Sequence, residues 1–208
     1  MVATGDPIEV SDEQGPGAFD QLMRLEQVAN RIFLVQSLFV PGLFQNKSYA
    51  EEMIARTTGL QAGSRELSDR VDIRLQRGAI LEKRLQAATP PQVSIVVDEG
   101  ALRRVVGGPV AMREQLGHLA SMARLGSVHL GIIPLSYGAH VGLKGSFEVH
   151  ELADGDAAVF FEGSQGDEII RTDQAVIARY RESAEALMTV ALTGGEAIDR
   201  LEVISAEL

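Results

Sequence analysis

Pro41-Gly42 closes an apolar run that reaches from Ile32 to Val40, and no regular element can pass through it. Proline has no amide donor, and its ring pushes the preceding residue out of the α region. The stretch Val40-Pro41-Gly42-Leu43-Phe44-Gln45-Asn46 therefore reads as a corner, with Asn46 or Ser48 placed to cap a new helix over 49–57. Upstream, Leu22, Leu25, Val28, Ala29 and Ile32 recur at helical spacing from Phe19, which predicts one helix ending by Val40. Residues 1–18 mix Gly and Pro with Asp6, Glu9, Asp12 and Glu13 and read as a flexible acidic leader. Residues 19–208 read as a single domain.

Downstream of the corner, Gly59 and Gly63 mark a loop before a long amphipathic helix. Leu67, Val71, Leu75, Leu81 and Leu85 line one side of it. Arg65, Asp69, Arg70, Asp72, Arg77 and Arg84 lie on the other, which reads as a solvated face. Pro90-Pro91 ends this part, and Val93-Ser94-Ile95-Val96-Val97 is a β-branched strand. Helices over 101–106 and 110–125 separate it from a second strand at 128–135. A connection through helices predicts that these two strands run parallel. Residues 146–153 and 158–162 flank Asp154-Gly155-Asp156 and predict a hairpin, with a short strand at 168–171. Helices over 173–192 and 196–206 finish the chain. The expected fold class is α+β, a mixed four- to five-stranded sheet packed with amphipathic helices.

Composition narrows the function classes. The absence of cysteine excludes disulfides, thiolate metal sites and a cysteine nucleophile, and fits a reducing, cytoplasmic setting. The net charge of −10, with arginines only in short pairs, argues against nucleic-acid binding by this chain alone. No run approaches the roughly 20 apolar residues of a membrane span, and residues 1–20 lack the basic start of a signal peptide, so no membrane partner is expected. His118, His129, His140 and His150 stand ten or eleven residues apart, which is not ligand spacing, and no metal is expected. Phosphate-binding glycine loops, nucleophile elbows and zinc-protease motifs are absent, and no cofactor is expected. Glu148 and His150 share one strand face and read as a surface pair.

Asp98-Glu99 ends the first predicted strand where a helix begins. A carboxylate there either caps the helix or faces a ligand at the strand's carboxyl end. Arg103 lies four residues after Glu99 and is placed for an ion pair. The segment from Ser136 to Gly145 exceeds a plain connection and carries Tyr137, His140 and Lys144. Such loops at strand ends either turn corners or close over ligands.

The order of landmarks carries a resemblance. Leu25-Glu26 is followed by the 40–45 corner with Tyr49-Ala50, then Arg74-Leu75 and Asp98-Glu99-Gly100-Ala101-Leu102-Arg103-Arg104. Val106-Gly107-Gly108, Met112-Arg113-Glu114-Gln115-Leu116, Ile133-Pro134, Gly138-Ala139-His140, Gly145-Ser146-Phe147 and Phe161-Glu162 complete the series. In this order, from Phe19 to Leu208, the chain resembles the domain of unknown function that follows a helix-turn-helix in many actinobacterial transcription regulators. The family usually has Leu-Leu-Gln-Thr where this chain has Leu43-Phe44-Gln45-Asn46, and residues 1–18 are too short and acidic for a DNA-reading module. The resemblance implies a stand-alone effector domain that binds a small molecule or a protein partner, with homodimer formation left open. The alternative is a cofactor-free cyclase or isomerase of secondary metabolism that reuses the sensor pocket, with acid–base groups from Glu99, Tyr137, His140 or Glu162. A cavity is expected between the corner, the Asp98-Glu99 strand end and the 137–145 loop. Tyr49, Glu99, Arg103, Tyr137, His140 and Glu162 would supply its polar contacts, and Leu43, Phe44 and Leu143 its apolar ones.

Overall fold

Arg31–Gln36 is a strand, and it lies inside the sheet. The computed structural model describes residues 13–163 and 166–208; most of the expected leader lies outside them. Helix α1 spans Pro16–Val28, so the predicted helix ending by Val40 is two elements. The correction has a physical cause. Ile32 continues the helical period of α1, but Ile32, Phe33, Leu34 and Val35 are all buried, which needs cover on two opposite faces. A strand inside a sheet supplies that cover, whereas a helix on its surface buries one stripe.

The elements follow in order. Strand β1 is Glu13–Gln14, then come α1 and β2 (Arg31–Gln36). A 3-10 turn at Gly42–Phe44 leads into α2 (Lys47–Thr58) and α3 (Arg65–Leu85). Strand β3 (Gln92–Asp98) is followed by α4 (Glu99–Arg103), α5 (Gly108–Ala123) and β4 (Val128–Ile133). Two 3-10 turns, Leu135–Tyr137 and Val141–Lys144, precede the hairpin β5 (Phe147–Glu151) and β6 (Ala157–Phe161). Strand β7 (Glu168–Ile170), α6 (Gln174–Val190), β8 (Leu192–Thr193) and α7 (Gly194–Ala206) end the chain.

Among the described residues the strands form one eight-stranded sheet, in the order β1-β7-β6-β5-β2-β3-β4-β8. Beyond the expected strands it contains β2 and two two-residue edge pieces, β1 and β8. β2, β3 and β4 run parallel, with Leu34 opposite Ile95 and Ile95 opposite Leu130. The parallel crossover from β3 to β4 is as expected, and a second one links β2 to β3 through α2 and α3. β5 pairs antiparallel with both β2 and β6. The sheet is therefore mixed and the class α+β.

Alternation along β2 sorts the core. Ile32 and Leu34 face a cluster with α2, α3, α5 and α7, whereas Phe33 and Val35 face α6. On β5 the register places Glu148 opposite Leu34 and His150 opposite Ile32, so both point to the α1–α3 side. On β6, Ala158 and Phe160 face the same way and pack on Leu22 and Leu25 of α1. Each fully buried large apolar side chain in these layers contributes about 1.5–3 kcal/mol relative to exposure.

The charged side of α3 is not uniformly solvated. Arg77 is buried and forms a two-pronged ion pair with Glu26 of α1, at 2.8 and 2.5 Å. Arg84 donates to the carbonyls of Glu26 at 2.5 Å and Ala29 at 2.6 Å, and so closes the C-terminal end of α1. Arg65 and Arg70 make the exposed pairs expected of a solvated face.

Candidate functional site

The corner after β2 is held by side-chain hydrogen bonds at Val40, Phe44, Gln45 and Asn46. The Val40 amide donates to the Tyr49 hydroxyl at 3.2 Å, and Gln45 Nε2 donates to the Val40 carbonyl at 2.7 Å. Gln115 of α5 is fully buried and serves two partners. It accepts from the Asn46 amide at 2.8 Å and donates to the Phe44 carbonyl at 2.7 Å. Asn46 caps α2 by accepting from the Tyr49 amide. Leu43, Phe44 and Tyr49 face the interior. Burial pushes the Tyr49 phenol above its ordinary value, against the smaller opposing effects of Val40 and Arg104.

Beside this corner lies a cleft between the sheet and helices α1, α2 and α3. It has two lobes, of about 700 and about 350 Å³. Phe19, Met53, Thr57, Arg74, Arg77 and Glu162 line both. The smaller lobe reaches the carboxyl end of β2 at Gln36 and is bounded there by Gly42, Gln45, Ser146 and Glu148. Gly42 is needed for a close approach. A Cβ on it would stand 3.0 Å from Arg74 Nη1 and 3.3 Å from Arg74 Cδ.

The electrostatics of the cleft centre on Arg74. Its one hydrogen-bond partner among the described residues is Gln45 Oε1, at 3.1 Å. Burial pulls its guanidinium below the ordinary arginine value. Glu162, Glu148 and Glu26 act at longer range to restore it, and Arg77 acts against them. Neighbouring charges are already engaged. Arg77 is bound to Glu26, and Glu148 Oε2 lies 3.0 Å from His150 Nε2. That Glu148–His150 pair is buried, not the surface pair expected from the sequence. Burial alone would raise the Glu148 carboxyl, but His150, Arg77 and Arg74 hold it below the usual range. Asp167 shows the reverse, with burial raising its carboxyl despite a hydrogen bond from the Gly163 amide.

The residues expected to form one pocket are distributed over the molecule. Of the nine, Glu162 lines the cleft. Neither Asp98 nor Glu99 lines it, although Gly42, Gln45, Gly145 and Ser146 do. Asp98 is the helix cap, accepting from the Gly100 amide at 2.7 Å, and its other oxygen lies 3.0 Å from His140 Nε2. Glu99 is a buried junction. It accepts from Arg103 Nε at 2.7 Å, Arg200 Nη1 at 2.9 Å and the Leu135 amide at 3.1 Å. It thereby ties α4 to α7 and to the end of β4. Arg103 also pairs with Glu207. Tyr137 and Leu143 are exposed on the loop after β4. Sequence reasoning missed Arg74 as a cleft residue, and Thr57 and Gln36 with it. The signal for Arg74 was its place 29 residues after Gln45, which only the fold makes adjacent.

Among the described residues, no group of three or more His, Asp or Glu side chains is placed to hold a metal ion. No described helix is long and apolar enough to cross a membrane.

The model of a protein family described as a domain of unknown function (DUF5753) matches residues 19–203. The chain belongs to this family. The matched span of the DUF5753 domain holds the whole corner and the cleft lining from Phe19 to Asp167. No curated protein matches the chain.

Proposed function

We propose that this DUF5753 domain is a ligand-binding effector domain of the kind carried by helix-turn-helix regulators, and that its ligand is a small molecule held in the cleft beside the Pro41 corner. The observation that carries this reading is the cleft itself. It has the volume of small-molecule sites, mixes apolar walls with a few convergent polar groups, and opens where β2 ends at its carboxyl end. Its floor is a corner whose backbone is fixed by Gln45, Tyr49 and Gln115, so the site is preorganised. Arg77 and Glu148 are engaged in ion pairs, and among the described cleft residues no hydroxyl is hydrogen-bonded to a side-chain base, which favours binding over turnover.

Thr57 is exposed at the cleft wall, and a Thr57→Trp substitution would fill the opening without entering the core. Native mass spectrometry of the protein with a small-molecule extract of cells is expected to show an adduct on the parent protein and none on Thr57→Trp. Equal adducts on both, or none on the parent, would overturn the proposal.

A further inference from the structure

The geometry points to a carboxylate on an apolar body as the ligand class, with Arg74 as the group that receives the carboxylate; this rests on the reading of the cleft as a ligand site. An arginine does not release its proton at physiological pH, so Arg74, half-buried in the wall of the cleft, presents a permanent positive charge there. No carboxylate oxygen of the described residues lies within ion-pair distance of it. Gln45 occupies a single donor from the corner side, which orients the guanidinium, and the rest of its planar fork has no hydrogen-bond partner among the described residues. Gly42 supplies the space in which the fork lies.

The remaining groups define the other features of the ligand. Arg77 is committed to Glu26 and Arg70 to Glu66, so among the described cleft residues Arg74 is the cation without an ion pair. A doubly charged phosphate group would meet Glu148, Glu162 and Asp167 with that single cation to offset them. A carboxylate carries half the charge and matches the fork in two parallel hydrogen bonds. A cationic head group gains little in the interior, because Glu148 is engaged by His150, Asp167 accepts from the Gly163 amide and Glu162 sits at the exposed rim. Phe19, Leu22, Phe39, Met53 and Phe160 provide walls for an apolar body.

The test is isothermal titration of the intact protein with octanoate, octylamine and octyl phosphate, which share one chain and differ in head group. Octanoate is expected to bind more tightly than either of the others. Arg74→Gln should weaken octanoate binding by about tenfold to a hundredfold, as for loss of a charge-assisted pair. Octylamine or octyl phosphate binding as tightly as octanoate, an unchanged affinity in Arg74→Gln, or no octanoate binding at about 1 mM would each overturn the inference. Thr57→Trp separates the two levels. If it abolishes binding of all three probes while Arg74→Gln changes nothing, the cleft stands and the carboxylate assignment fails. If octanoate binds Thr57→Trp undiminished, the cleft assignment itself fails.

Discussion

Replacing Arg77 by leucine leaves the Glu26 carboxylate buried without its partner. Both side chains are more than nine-tenths buried, and the two hydrogen bonds between them span 2.8 and 2.5 Å. Breaking a buried pair by removing one member costs about 3–5 kcal/mol, because the remaining charge keeps its desolvation penalty without the attraction that offset it. Loss of the Arg77 guanidinium from its place 4.9 Å above the Phe19 ring adds in the same direction. With an m-value of about 2 kcal/mol/M, the urea midpoint should fall by about 1.5–2.5 M with little change of slope. The double variant Glu26→Met/Arg77→Leu removes both charges and should recover most of that loss. Urea unfolding followed by circular dichroism reads both effects. A loss below about 1 kcal/mol for Arg77→Leu, or a double variant less stable than the single one, would show that the buried pair does not hold α1 to α3 in this way.

Three other outcomes are expected. Gln115→Leu removes one buried and one part-buried hydrogen bond from the corner and should cost about 1–3 kcal/mol in the same urea assay, with an effect below about 0.5 kcal/mol speaking against a role in fixing the corner. Burial would raise the Glu99 carboxyl, but Arg103, the Leu135 amide and Arg200 outweigh it and hold the group below its ordinary value of 4.5. Its contribution is therefore present above about pH 4.5 and lost as pH falls through the lower folded value, so Glu99→Gln should flatten the acid limb of a stability–pH curve measured by thermal melting; an unchanged limb would contradict this. With a net charge of −10, the chain alone should show no sequence-dependent duplex DNA binding at physiological salt in a fluorescence-anisotropy titration, and tight specific binding would overturn that.

Parts of the fold were legible because local and global signals agree there. The β-branched run of β3, the helices after it, β4 and the Asp154-Gly155 hairpin each have a period and a punctuating turn. β2 was not legible, for two reasons. Ile32 falls on the helical period of α1, so periodicity alone joins the two elements. The end of α1 also carries no local stop signal: its capping residue is Ala29 in a non-helical conformation, and its last carbonyls are met by Arg84, more than 50 residues away. A cap supplied from another helix leaves no trace in the flanking sequence.

The site divides in the same way. Pro41-Gly42 announces a corner, and the corner does border the cleft through Gly42 and Gln45. The choice between a buried and a solvated charge is invisible along α3, where Arg70 is exposed and Arg77, two turns on, is buried. Only the packing of α1 against that helix tells them apart. The prominent polar residues at the end of β3 drew attention for their position, and the structure gives Asp98 and Glu99 local partners there.

Amide chemical-shift mapping with octanoate locates the ligand site, because it reports where the probe sits as well as whether it binds. The largest shifts are expected on amides around the cleft, at Gln36, Gln45, Thr57, Arg74 and Glu162, and they should vanish in Thr57→Trp. Shifts concentrated instead on the exposed loop over 135–143, with the cleft amides unmoved, would contradict the cleft assignment.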